Sequence, residues 1–484
     1  MSRPLRWFDA ITINVYFTGL TTVSQTLTPL VIPLLVQQFV GIDQQGSYYG
    51  QIRLWSLMTA LIFQSFMGLL SDRSRSRWGR RRPFIFLGTV FDLLFITLIG
   101  VSAGMESTAG FWFLFATVLL LQISLNTGQA AAQPLIPDLV PDDKRGLYSG
   151  IKSLFEVPVA LILVAFTIGK MIAAGNYWAG IITAMIILTG AMIITMFVPD
   201  KPIADPVEKM DWNPLIRLIA MTIVFTLIIL GMGKVSLEIT DSIARRLPEW
   251  GTLLTIGIVG LAAMVLAVGV GVWASIQISL GEDAKSNPSY TWWVINRLAF
   301  LVGITNIASF AVFFLQGRLG LAREQAAGPA SQLIMVVGIF ILLLALPSGW
   351  LADRFGRKLL VILSGFCGAF GALILIIAPN LAWIYAGAIL VGAAAGTFYT
   401  SNWALGTTLI PKAEAGRYLG ISNLAGAGAG AVGAYIGGPL ADYVTRYIPG
   451  KPGLGYVMLF AIYGLLMLFS AIIAFKINAT KARD

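Results

Sequence analysis

The sequence predicts an all-α polytopic membrane protein with about fourteen spans, arranged as two sets of six helices with two additional helices between them. Three observations carry that expectation: an apolar composition, runs of spanning length from end to end, and a pair of matching segments in the two halves. The 484 residues are 57% hydrophobic and 12% charged, with mean hydropathy +0.81. Soluble domains are about a quarter charged. A helix needs about 20 mainly apolar residues to cross a hydrocarbon core of about 30 Å, and such runs recur along the whole chain.

In order, the first six runs lie near 10–38, 48–71, 83–104, 110–139, 146–171 and 176–198. The first follows Arg3, Arg6, Trp7 and Phe8, is too long for a signal-peptide core and lacks a small-residue cleavage site, so it reads as a retained helix. A polar linker, PDKPIADPVEKMDWNP, precedes runs near 214–233 and 251–275. Six more follow near 290–316, 328–351, 358–378, 382–409, 416–441 and 455–477. The expected organisation is therefore 1–199, a six-helix bundle; 200–285, the linker with two added spans; and 286–484, a second six-helix bundle.

The two sets match where a duplication requires it. GLLSDRSRSRWGRRRP after the second run answers to SGWLADRFGRK after the second run of the later set, so Asp72 corresponds to Asp353. LVPDDKRGLYSGIKSL from Leu139 aligns without gaps on LIPKAEAGRYLGISNL from Leu409. An even number of inserted spans leaves the topology of the second set unchanged. Lysine and arginine collect on the side of the arginine-rich loop, which places that loop and both termini in the cytoplasm. The formal charge of +10 then reflects topology, and no nucleic-acid partner is expected.

The loop pattern resembles that of the major facilitator superfamily, G-x-L-x-D-R-x-G-R-R/K between its second and third helices. Gly349, Leu351, Asp353, Arg354, Gly356, Arg357 and Lys358 fit closely, while the first copy carries four extra residues between Asp72 and Gly79. SDRSRSRWGRRRPFI is similar to the same loop of the sucrose:proton symporters and, more distantly, of the glycoside-pentoside-hexuronide:cation symporters. The resemblance implies a major facilitator fold, two six-helix bundles related by pseudo-two-fold symmetry, here with two helices between them. It also implies a secondary active transporter working by alternating access, moving a sugar, such as a disaccharide or glycoside, with protons. A monomer suffices for that mechanism, and the plasma (inner) membrane is the expected location. The alternatives are proton-coupled efflux of a drug or lipophilic metabolite, and a non-transporting sensor or assembly factor on the same fold.

The motif has a physical rationale. An aspartate at a helix C-terminus sits at the negative end of the dipole and requires nearby cations. In the family such aspartates latch the cytoplasmic side, so the expected gate is Asp72 with Arg73, Gly79, Arg80 and Arg81, and Asp353 with Arg354, Gly356 and Arg357. Arg75 and Arg77 are read as topology signals. Gly146 and Gly416 open the fifth helix of each set, and the stretch ISNLAGAGAGAVGAYIGG from Ile421 reads as close helix packing.

Ionisable groups within spans cost about 2.5–3.5 kcal/mol on insertion scales and are functional candidates. Asp92 stands nine residues beyond Pro83, and Glu156 ten beyond Gly146. A rise of about 1.5 Å per residue puts each near mid-bilayer, where burial favours protonation of a carboxylate. Lys152 lies one turn before Glu156, as salt-bridge partner or as part of the switch. In the repeat, Ser422 and Gly426 occupy those two positions, which assigns proton coupling by Glu156, Asp92 and Lys152 to the first half. Arg53 and Arg297 are embedded cations. The segment from Arg53 resembles the second helix of sodium-coupled melibiose carriers but has Ser56 and Ala60 in place of the cation-binding aspartates, which favours protons. Asn126, Gln129 and Gln133 form a polar stripe. Together with Gln25, Asn296, Asn306, Asn402 and Trp403 they offer amides for sugar hydroxyls and an aromatic face for a sugar ring.

Other chemistries lack their residues. The chain has no histidine and one cysteine, Cys367, so a disulfide within the chain is excluded and no metal site or cofactor is expected. No Gly-Lys-Ser/Thr phosphate loop is present, and an enzyme is not expected.

Overall fold

The computed structural model describes residues 6–200, 202, 212–244, 247–281, 287–411, 415–448, 450–451 and 453–478. The linker expected at 199–214 lies largely outside them, as do residues 412–414 of the second repeat segment. The described residues form helices and no strand, and helices satisfy every backbone amide within one segment where lipid offers no water.

Among the described residues thirteen helices are long and apolar enough to span a membrane, and a bent pair brings the number to fourteen. They are α1 Asp9–Val40, α2 Gln45–Asp72, α3 Arg82–Ser102, α4 Ser107–Leu139, α5 Asp142–Ala173, α6 Tyr177–Thr195, α7 Asn213–Ile243 and α8 Glu249–Ser279. The second set comprises α9, which is Pro288–Ser309 joined to Ala311–Leu319 at 61°, then α10 Ala327–Phe355, α11 Arg357–Ile377, α12 Leu381–Thr407, α13 Ala415–Tyr447 and α14 Leu454–Ala474. The order is six, two and six. Two departures from the sequence reading are large: α7 continues well past the expected end near 233, and α9 breaks at Phe310. The extra turns of α7 carry Lys234, Glu238 and Asp241, charged residues that end an apolar run but not a helix.

The chain forms two compact units. One contains residues 1–39 and 59–215; the other contains 40–58 and 216–484. The boundary runs through α2, and the added pair α7–α8 belongs to the second unit. Within the first unit α1 packs on α5 and α6, and α3 on α4. Within the second unit α9 packs on α13 and α14, and α11 on α12. The same neighbours recur in each set, as the duplication requires. Tyr148 and Tyr418, equivalent in the repeat, are both buried.

The added pair is held by a wedge. Phe225 of α7 is buried, and a Cβ on Gly428 of α13 would lie 2.5 Å from its ring. Small residues that admit a neighbouring ring are the usual means of packing helices in lipid, where no hydrophobic drive operates between them. α8 packs against α9, α13 and α14. Trp7, Trp112, Trp212 and Trp250 are exposed, consistent with anchoring at a membrane interface.

Candidate functional site

The first unit contains a polar cavity built by α1, α4 and α5. Proline shapes two of its walls. Pro29 has no amide to offer the Gln25 carbonyl, and Pro158 none to offer that of Leu154; α1 widens into a π turn at Leu27–Val31 and α5 into one at Phe155–Val159. Thr18 of α1 donates its hydroxyl to the Phe155 carbonyl at 2.8 Å, tying the helices together at the irregular turn. Such single π turns recur at functional sites.

The cavity has a volume of about 300 Å³ and is lined by Phe17, Leu20, Thr21, Ser24, Gln25, Gln129, Glu156 and Val157. Gln25, Gln129 and Glu156, far apart in sequence, thus share one space. Lys152 approaches Glu156 to 3.5 Å along α5, and its ammonium also lies 4.2 Å from the centroid of the Phe17 ring. Both charged side chains are part-exposed. The amides offer donors and acceptors, and the carboxylate–ammonium pair offers a charge that a proton can cancel.

Asp92 lies elsewhere in the same unit. It is fully buried in the α3–α4 seam, where Ser124 donates a 2.5 Å bond to its Oδ1 while Oδ2 has no protein partner. Beside it, the Tyr16 and Thr89 hydroxyls share a 2.9 Å bond. The stripe on α4 is divided: Gln129 lines the cavity, Asn126 is buried with its amide on the Gln122 carbonyl at 2.7 Å, and Gln133 is exposed.

In the second unit Arg297, half-buried on α9, donates to the Asn402 Oδ1 at 3.1 Å. Its guanidinium lies 5.8 Å from the Trp293 ring centroid and 5.5 Å from that of Trp403. Asn402 donates to Asn296 at 2.9 Å, and Asn296 to Ser470 at 2.8 Å, so the arginine ends an amide chain across three helices. Asn306 is buried and bonds the Ala429 carbonyl of α13 at 3.1 Å. Arg53 lies in this unit against Gly430 of α13. Among the described residues no carboxylate forms an ion pair with Arg53 or Arg297.

The arginine-rich loop is folded onto its own unit. Arg81, 2% exposed, meets Asp72 at 2.6 Å, Asp138 at 3.0 Å and the Ser71 hydroxyl at 3.0 Å, and Arg80 pairs with the same Asp138. Asp200 accepts from the Arg81 amide at 2.6 Å and the Arg82 amide at 3.1 Å, capping α3. Gly79, beside Asp200, has φ +110°, a backbone region that favours glycine. Arg73 turns back to the Leu69 carbonyl at 3.3 Å and so departs from the expected cluster. Arg75 and Arg77 are exposed.

The second copy is looser. Arg357 approaches Asp353 only to 3.7 Å and bonds the Ala404 carbonyl at 2.8 Å. Gly356, φ +97°, makes the turn between α10 and α11, and Arg354 lies over Trp350 at 5.4 Å. Sequence reasoning missed Asp138 and Asp200. The signal available was charge balance: six arginines and one aspartate between Gly68 and Phe86 require carboxylates from elsewhere.

Two family models cover the halves: Major Facilitator Superfamily over residues 298–483, and MFS/sugar transport protein over residues 38–215. The chain belongs to the major facilitator superfamily. It is accordingly a multi-pass membrane protein on a transporter fold. Sucrose transport protein SUC3 of Arabidopsis thaliana is 28% identical over 219 residues, 37% of this chain and 35% of that protein. Proton-associated sugar transporter A of Homo sapiens is 26% identical over 199 residues, 38% of this chain and 26% of that one. These matches thus span about a third of the relatives' length or less. Among solved structures, a D-xylose-proton symporter gives a TM-score of 0.64 at 18% identity, over 99% of this chain and 100% of that one. The nucleoside transporter NupG gives 0.65 at 12% identity, over 97% and 100%. At such identities the likeness establishes the superfamily fold.

Proposed function

We propose that this superfamily member is a secondary active sugar transporter that moves a disaccharide or glycoside together with protons by alternating access. The observation that carries the reading is the first-unit cavity, in which Glu156, paired with Lys152, shares a wall with Gln25 and Gln129. A proton on Glu156 cancels its attraction for Lys152, so occupancy of the cavity and the protonation state of the pair are linked. The similarity to sucrose transport proteins and to a proton-associated sugar transporter supports the same class. Arg297, Asn402 and Trp403 supply a second set of polar and aromatic groups for a sugar ring, and Asp92 acts from the α3–α4 seam. The chain is read as two repeats, 1–199 and 286–484, separated by 200–285, with both termini cytoplasmic and the Asp72 and Asp353 clusters stabilising the cytoplasmic side.

The test is reconstitution into weakly buffered liposomes, with external pH recorded as disaccharides and monosaccharides are added without an imposed gradient. Alkalinisation specific to one sugar is the expected result. Silence towards every sugar, from protein shown by a second assay to be folded and reconstituted, overturns sugar symport and favours efflux of another cargo.

A further inference from the structure

The second unit holds a fastening that neither the sequence motifs nor the cavity accounts for. Asp442, fully buried on α13, accepts from the Gly46 amide at 2.9 Å, the Ser47 amide at 2.6 Å and the Ser47 hydroxyl at 2.6 Å. These are first-turn groups of α2, amides that have no partner within their own helix and that lie at the positive end of its dipole. The carboxylate of one span therefore caps another. The backbones meet closely there: a Cβ on Gly46 would lie 2.5 Å from the Gly438 carbonyl, and one on Gly50 2.5 Å from that of Ala434. Tyr49, between them in sequence, is buried with its ring edge-on to Phe310 at 5.4 Å and Phe313 at 5.8 Å.

The remainder of α2 belongs elsewhere. Residues 40–58 are part of the second unit, while the helix from Thr59 to Asp72 is part of the first, where Asp72 is held by Arg81. One continuous helix is thus fastened at its two ends to different units. We propose that Asp442 is a releasable latch: its carboxylate holds the first turn of α2 on α13, and breaking those bonds frees that end of the helix from the second unit. Hydrogen bonds to a carboxylate are directional and strong but few, and the glycine seam adds contact without interlocking side chains, so the contact can separate and re-form as a whole.

The inference rests on the transporter reading only for its purpose, and its test uses no sugar. In a Cys367→Ser background, spin labels at Gln44→Cys and Tyr447→Cys, both exposed, report the distance between the ends of α2 and α13 in liposomes. With Asp442 intact a short distance is expected to dominate, with a minor population at longer distance. Asp442→Asn, which keeps the shape and loses the charge, is expected to raise the population at longer distance about tenfold or more. Ser47→Ala removes one donor and leaves the capping carboxylate in place; it is expected to shift the population less, in the same direction, and serves if Asp442→Asn does not fold. Distance distributions unchanged in the folded variants overturn the latch, whatever the liposome pH recordings show about sugar.

Discussion

The fifth spans of the two sets, α5 and α13, descend from matching sequence and have become different objects. α5 is interrupted by π turns at Phe155–Val159 and Val164–Ile168 and carries Lys152 and Glu156. α13 is one helix from Ala415 to Tyr447 and has Ser422 and Gly426 at those positions. α5 presents its charged pair beside a cavity, whereas α13 receives Phe225 of the added pair and the first turn of α2. The lesson is that one repeat carries irregular backbone and charge where the other serves as a packing seat. At the two positions that match Lys152 and Glu156, Ser422 and Gly426 leave no carboxylate or ammonium to exchange a proton.

The largest effect should follow from removing the charge peculiar to α5. Glu156→Gln is expected to lower proton-driven accumulation about 100-fold, the size of a lost proton-transfer group, with the protein still folded. Uptake into liposomes under an imposed pH gradient checks it, and undiminished accumulation would remove Glu156 from the coupling.

The two loop clusters extend the comparison. Arg81→Ala strips Asp72, Asp138 and Ser71 of a buried partner and should cost about 2–3 kcal/mol, below the full value for buried pairs because both carboxylates reach solvent. Arg357→Ala, in the looser copy, should cost about 1 kcal/mol or less. Thermal unfolding in detergent ranks them, and equal losses would contradict the asymmetry. Smallest of all, Ser422→Ala should be neutral within about 0.5 kcal/mol or slightly stabilising, since the buried Ser422 hydroxyl has no partner to lose; a marked loss of stability in the same assay would show that α13 depends on that hydroxyl.

Most of the architecture was legible because span length and repeat position are local properties of the chain. The order of spans, the matching loops and the Lys152–Glu156 spacing all follow from periodicity, and most helix limits lie within a few residues of the expected ones. What periodicity could not supply is which neighbour a side chain meets. Arg81 finds Asp138 57 residues away and its amide meets Asp200 119 residues away. Asp442 meets Gly46 across 396 residues. Asn126 and Gln129, three apart on α4, share a helix face, yet Gln129 opens onto the cavity while the Asn126 amide turns back to the Gln122 carbonyl one turn away. The bend at Phe310 carries no proline or glycine to announce it.

The ring of Phe17 gives the Lys152 ammonium a second home. A cation at 4.2 Å from an aromatic centroid retains about 0.5–2 kcal/mol of attraction, depending on how dry the site is. If Glu156 takes up a proton, as the proposed coupling requires, the lysine need not follow its partner, recruit an anion or withdraw from the cavity. It can settle on the aromatic face, and the membrane interior is spared a bare charge while the carboxyl group is free to turn.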